Sequence, residues 1–199
     1  MKDKALLHFK KVDPKLYEVS LQVQLNEQAK PEDYFVDLVD SIISQQLSGK
    51  AAATIFGRFK KLFSNGQITV SKLIKLDDEQ IRQAGISYSK IKYIKGIAEE
   101  IKNKKLNLEN LENLTNGEVI EELIKLKGVG VWTAEMFLMF TLQRDDIFSA
   151  GDLGLQNAMI KLYKLKEKPS KEVLIKLSNK WSPHRTFASR ILWRSLELK

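Results

Sequence analysis

Leu126-Lys127-Gly128-Val129-Gly130-Val131-Trp132-Thr133-Ala134 lies between two amphipathic helical patterns. A Gly-x-Gly pair in a tight helical connection permits unusual backbone angles and lets an anion approach the main chain without meeting a Cβ. Amides at the start of the following helix face outward, where the helix dipole favours negative charge. The combination suits a phosphate grip that reads no base sequence. Taken alone, two glycines between helices more often make a simple turn.

The surrounding sequence is helical. Phe35, Leu38, Val39, Ile42 and Ile43 recur at spacings of three and four, and after Ser48-Gly49 the pattern resumes over Lys50 to Phe63. Asp77 followed by Gln80 resembles a capping box, Gly85 marks a stop, and a helix follows from about Ser87 to Asn103. Thr115 with Glu118 opens a helix that ends before Gly128, and the next begins near Val131. Asp152 to Tyr163 and Lys171 to Lys180 read as helices, and Ser182-Pro183 reads as an N-cap and N1 pair for a last helix ending near Trp193 to Leu198. No convincing strand, solenoid repeat or low-complexity linker interrupts this all-α pattern, so any domain division is made by packing.

Composition narrows the classes. A chain of 199 residues with 43% hydrophobic content buries one sizeable core or two small ones. Its 33 basic residues against 25 acidic ones favour a polyanionic partner. The absence of cysteine excludes a disulfide framework, a cysteine nucleophile and a cysteine-ligated iron-sulfur cluster, and suits a reducing compartment. Met1 to Val12 lacks the continuous apolar stretch of a signal peptide, and no apolar run is long enough to span a bilayer. An intracellular protein with no membrane partner is expected.

About twenty residues beyond the glycine pair stands Asp145-Asp146-Ile147-Phe148-Ser149-Ala150-Gly151-Asp152-Leu153-Gly154-Leu155. By itself, Asp152 before an apolar-periodic segment is an ordinary N-cap. Together, however, a Leu-x-Gly-Val-Gly-x-x-Thr-Ala hairpin and a loop ending in Phe-x-x-x-Asp resemble the helix-hairpin-helix DNA glycosylase superfamily. The match is to its alkylated-base branch, which includes 3-methyladenine DNA glycosylase II. Ile42-Ile43-Ser44-Gln45-Gln46-Leu47-Ser48 resembles the branch's DNA-probing segment, and Trp181-Ser182-Pro183-His184-Arg185 through Trp193 resembles its C-terminal helix. The resemblance spans roughly residues 38–193. It implies a two-lobed helical core without the extra N-terminal β-rich domain of some members. One lobe is expected from residues 1–38 plus 144–199, and the other from 39–143 with the hairpin at about 116–142.

The same resemblance implies roles. Asp152 takes the place of the catalytic carboxylate, stabilising oxocarbenium-like character on the deoxyribose or positioning water, while Asp145 and Asp146 are left as loop charges. Trp132 stands where lyase branches carry a Schiff-base lysine, so water is the expected nucleophile and an intact abasic site the product. A flipped cationic purine would stack in an aromatic pocket, for which Trp132 and Trp193 match, with Met136 replacing an aromatic of some members. Gln46 or Leu47 would fill the gap left in the duplex. Gly128, Val129, Gly130, Lys127 and Arg185 would contact DNA phosphates, with Arg190 as a further candidate.

No cofactor is required on this reading. A monovalent cation held by main-chain oxygens of Ile124, Leu126 and Val129 is a structural, DNA-bridging expectation. His8 and His184 lack a ligand pattern. The expected partner is damaged double-stranded DNA, bound by a monomer, in bacterial cytoplasm and nucleoid or in a nucleus. Substrates of the branch include 3-methyladenine, 7-methylguanine, hypoxanthine and ethenoadenine, which pocket shape rather than residue type ranks. A non-catalytic helix-hairpin-helix module would leave Asp152, the tryptophans and Gln46-Leu47 unexplained, and an oxidised-base glycosylase/lyase is disfavoured by Trp132.

Overall fold

The computed structural model describes residues 2–26, 31, 33–166 and 168–198. Twelve α-helices form among them: α1 (Lys2–Val12), α2 (Pro14–Ser20), α3 (Tyr34–Ser44), α4 (Gly49–Lys60), α5 (Val70–Lys75), α6 (Asp78–Gln83), α7 (Tyr88–Lys102), α8 (Asn116–Ile124), α9 (Val131–Met136), α10 (Leu153–Tyr163), α11 (Lys171–Ser178) and α12 (Arg185–Ser195). The described residues contain no strand, and none of their helices is long and apolar enough to cross a membrane.

Helix starts follow from short oxygen-bearing side chains that accept otherwise unpaired first-turn amides. Asp33, Ser48, Thr69, Ser87 and Ser170 cap α3, α4, α5, α7 and α11 in this way. Thr115 and Glu118 form a reciprocal capping box on α8, and the Asp77 carboxylate accepts from the amides of Glu79 and Gln80 at α6. Gly85, at φ 103°, follows that short helix.

Three expected helix limits move. α4 ends at Lys60, and Phe63 turns out in extended conformation to pack edge-on against Phe59. α11 ends at Ser178 and gives way to a 3-10 turn over Asn179–Trp181. Ser182-Pro183 does not open the last helix: the bond between them is cis and α12 begins at Arg185. The Ser182 hydroxyl instead donates to Asp146, and the same carboxylate accepts the Arg185 amide from 39 residues away. α12 is thus capped by a distant side chain, which local sequence does not reveal.

The chain divides into two compact units, Met1–Ala29 with Gln143–Lys199, and Lys30–Leu142. The expected cut after residue 38 would have split α3, whose Phe35, Leu38, Val39, Ile42 and Ile43 are all buried and which packs on α4 and α7. The boundary therefore lies before that helix.

In the unit built from both chain ends, α1 and α2 pack with α10 and α12 around Phe9, Leu16, Leu155, Met159, Leu174, Trp181, Ile191 and Leu192. A carboxylate is buried at its centre. Asp13 caps α2 and accepts from the Trp181 indole N–H at 2.7 Å, from the Tyr163 hydroxyl and from Lys180 at 3.0 Å. Burial alone would raise the Asp13 carboxyl, but donation by Tyr163, Trp181, Lys180 and the Leu16 amide outweighs it and holds the pKa below the usual 3.8. The Tyr163 phenol is pushed up by its own burial and by that carboxylate.

Because the folded pKa of Asp13 is depressed, its contribution to stability is complete above the unfolded value and disappears as pH falls through the folded one. Asp13→Asn should destabilise the protein by about 2 kcal/mol at pH 7, the scale of charge-assisted hydrogen bonds lost in a buried site. In urea unfolding the gap between wild type and variant should narrow below the usual carboxylate pKa of 3.8. A gap that stays constant from pH 7 to pH 3 would contradict an ionised Asp13.

Candidate functional site

The unit spanning Lys30–Leu142 carries the glycine hairpin. α8 and α9 pack against each other, and α9 runs on into a π-helical turn over Phe137–Thr141. Between the two helices Gly128 takes φ 90°, and a Cβ there would stand 2.3 Å from the Tyr93 ring. Both the backbone angle and the close approach require glycine. Gly130 differs: at φ −98° it forms the N-cap of α9, with nothing within 4 Å of a Cβ placed on it. Lys127 and Gly130 are exposed, Val129 is buried, and Trp132 is 44% exposed on the first turn of α9. Met136 is half-buried.

The connection between α3 and α4 is tied to this hairpin. Gln45 donates its side-chain amide to the Gly128 carbonyl at 2.9 Å and to Thr133 Oγ1 at 3.2 Å. Lys90 of α7 donates to the carbonyls of Ile43 and Gln45, each at 2.7 Å, and burial lowers its pKa from the usual 10.5. Between these anchors Gln46 adopts a left-handed φ of 61°, and Leu47 is 36% exposed. Both gap-filling candidates therefore sit on a short exposed bend whose flanks are fixed.

Asp152 belongs to the other unit. It is the N-cap of α10: its Oδ1 accepts from the Leu155 amide at 2.7 Å, and the same oxygen accepts the Trp193 indole N–H at 2.8 Å. Both Asp152 and Trp193 are half-buried. The preceding loop is fastened to α12 by Thr186, which donates to the Arg144 carbonyl and accepts the Ile147 amide, and to α10 by Gln156, whose side-chain amide donates to the Ala150 carbonyl. The N-cap reading of Asp152 is thus correct as local structure, and it leaves the carboxylate rigidly held at a positive helix end.

Asp146 and Arg185 depart from expectation. Asp146 is no idle loop charge: Arg185 grips it with Nε at 2.8 Å and Nη2 at 3.0 Å, and Ser182 adds a third side-chain donor. Burial tends to raise the Asp146 carboxyl, but these donations hold it below the usual 3.8. Arg185, expected on a phosphate, is engaged by Asp146 at the start of α12. Arg190 likewise donates to the Asn26 carbonyl. No cluster of three or more His, Cys, Asp or Glu suited to a metal occurs among the described residues.

Gln45, Lys90, Tyr93 and Gly154 escaped sequence reasoning. Gln45 lay inside the quoted probing segment, but a side chain bonded 83 residues away has no local signature. The hairpin gives a clean contrast between its glycines. Gly128→Ala should lower the melting temperature by several degrees, the result of more than about 1 kcal/mol of backbone strain and overlap with Tyr93. Gly130→Ala, in open space at an ordinary φ, should shift it by less than a degree or two, and equal shifts for the two variants would refute the distinction.

The family described as HhH-GPD superfamily base excision DNA repair protein matches residues 39–184. DNA-3-methyladenine glycosylase 1 of Schizosaccharomyces pombe is 39% identical over 175 residues, covering 87% of this chain and 77% of the relative. The solved structure of Schizosaccharomyces pombe 3-methyladenine DNA glycosylase, Mag1, in complex with abasic DNA matches at a TM-score of 0.84 and 37% identity, covering 96% of this chain and 95% of that one. DNA-3-methyladenine glycosidase from Bacillus halodurans matches at a TM-score of 0.83 and 36% identity, covering 96% of this chain and 89% of its own. With the hairpin glycines, the all-helical fold and a family match over most of its length, the chain belongs to the HhH-GPD superfamily of base excision DNA repair proteins.

Proposed function

We propose that this protein is a monofunctional DNA glycosylase that flips N-alkylated purines out of duplex DNA and hydrolyses their glycosidic bond, leaving an abasic site. The observation that carries this reading is the Asp152 carboxylate, fixed at the N-terminus of α10 by two N–H donors on one oxygen. The relatives named for 3-methyladenine excision support the substrate class.

N-alkylation places positive charge on the purine ring. When the C1′–N bond breaks, its electron pair neutralises the departing base, and the sugar acquires oxocarbenium character. Asp152 stabilises that cation electrostatically. Water then forms the new C1′–O bond and gives up a proton, so that a cationic nucleotide and water yield an abasic sugar, a neutral base and a proton. The leaving group needs little protonation, and one carboxylate is enough.

Trp132 offers an exposed indole face for stacking a cationic base and supplies no amine for a Schiff base. The Gly130 amide and the start of α9 suit a phosphate oxygen. Gln46 and Leu47, on their anchored bend, are the candidates to fill the duplex gap. A monovalent cation at the carbonyls of Ile124, Leu126 and Val129 fits the donor chemistry. Neutral oxygens suit such an ion, and Leu126 spends only one of its two lone pairs on the Val129 amide. Its task would be to bridge the hairpin to phosphate.

Asp152→Asn preserves the cap while removing the charge, because Asn caps a helix as well as Asp. Single-turnover release of 3-methyladenine or 7-methylguanine should fall by at least about 10²-fold, ~3 kcal/mol of transition-state stabilisation, with little change in melting. Asp145→Asn, an exposed neighbour, is the control and should retain most activity. Near-wild-type excision by a folded Asp152→Asn protein would reject the mechanism. The wild-type product strand should stay uncut until alkali is added, and borohydride should trap no covalent protein–DNA adduct. Efficient trapping would place the enzyme in the lyase class.

A further inference from the structure

The sequence resemblance implies a place for Trp193 in the base pocket, but its polar edge is directed at the carboxylate. Its indole N–H donates to Asp152 Oδ1 at 2.8 Å, the oxygen already bonded to the Leu155 amide. With Oδ1 committed to two donors, rotation of the carboxylate about its own axis is fixed, and with it the direction of Oδ2. The contact depends on a third residue. Gly154 sits in the first turn of α10, and a Cβ built on it would lie 2.9 Å from Trp193 Cδ1, 3.0 Å from Trp193 Nε1 and 3.0 Å from Asp152 Oδ1. Those are the ring edge and the acceptor of the hydrogen bond itself, so any side chain at 154 would wedge into the contact.

Gly154 is costly where it stands. Glycine inside a helix is about 1 kcal/mol worse than alanine. No positive φ demands it, since Gly154 lies within α10 and is absent from the positive-φ glycines. Its role is therefore space: it allows α12 to bring an indole edge onto the cap of α10.

We propose that Trp193 is a positioning residue for Asp152, acting through its indole N–H, and that Gly154 is the space-holder that makes the contact possible. The proposal rests on Asp152 being the essential carboxylate. Trp193 then serves catalysis by orienting an anion, whereas a stacking role would require only its aromatic face.

Trp193→Phe separates the two roles, because it keeps a ring face and removes the donor. Excision of 7-methylguanine from alkylated duplex under single-turnover conditions should slow by at least about 10-fold, while the Kd for abasic duplex changes less than about twofold. In an Asp152→Asn background the same substitution should cost less than about twofold more, because residues acting through one group are not additive. Gly154→Ala should reproduce the rate loss in a protein that remains folded by thermal melting and circular dichroism, so that the loss is not one of unfolding. It also serves as the second variant should Trp193→Phe prove unstable. Wild-type rates in Trp193→Phe and Gly154→Ala, or a Trp193→Phe penalty that persists undiminished without the Asp152 charge, would overturn the proposal. An Asp152→Asn protein with full activity would fail at the earlier step, and so is distinguishable from failure of the Trp193 assignment.

Discussion

The main-chain reversal at Gly128 constrains much of the Lys30–Leu142 unit. A φ of 90° and a Tyr93 ring lying where a Cβ would stand admit only glycine, and they set the Gly128 carbonyl against the Gln45 amide. Tyr93 and Lys90 are three residues apart on α7 and share a face. One helix therefore supports the hairpin with a ring and the end of α3 with an ammonium group. The carbonyls of Ile43 and Gln45 at that end accept from Lys90, and a cation at a helix C-terminus is electrostatically favoured there. The chain can then break sharply, with Gln46 left-handed, without leaving those oxygens unpaired. Hairpin and bend are two products of the same packing.

The aspartates of this chain show how one local device serves different ends. Asp33, Asp77, Asp13 and Asp152 all cap helices. Asp33 and Asp77 do no more than satisfy first-turn amides. Asp13 is buried and adds Trp181, Tyr163 and Lys180, which converts a cap into the polar centre of a core. Asp152 is only half-buried, and its indole donor comes from a residue that is itself half-buried. Asp152 therefore differs from the other caps in combining partial accessibility with a second fixed donor, and neither property can be read from the capping pattern.

The all-helical class and most helix limits were legible because periodicity and capping act within a turn or two: Thr115-Glu118 and Ser87 behave as their spacing indicates. The hairpin was legible through two glycines, although only the structure separates Gly128, which is obligatory, from Gly130, which is spacious. Illegible features were those made by partners far apart in the chain. Asp146 caps α12 from 39 residues upstream and engages Arg185, so a carboxylate taken for a loop charge and an arginine taken for a phosphate contact neutralise one another. The lobe boundary shifted for a similar reason, since burial of α3 along its whole inner face keeps it in one unit.

The pairing of Trp193 with Asp152 also bears on how one carboxylate can suffice. Hydrogen bonds to a carboxylate keep it ionised, yet each withdraws charge from the oxygen it meets, which weakens that oxygen's attraction for a nearby cation. Placing the Leu155 and Trp193 donors on Oδ1 confines their withdrawal to one oxygen while still gaining orientation. Oδ2 receives neither of these two donations. In the proposed reaction a cationic purine leaves on its own charge, which would ask Asp152 for electrostatic support of the sugar rather than for proton transfer to the base. A carboxylate held in place by a helix start and an indole N–H suits that demand, because an anion fixed in advance need not reorient as the charge develops.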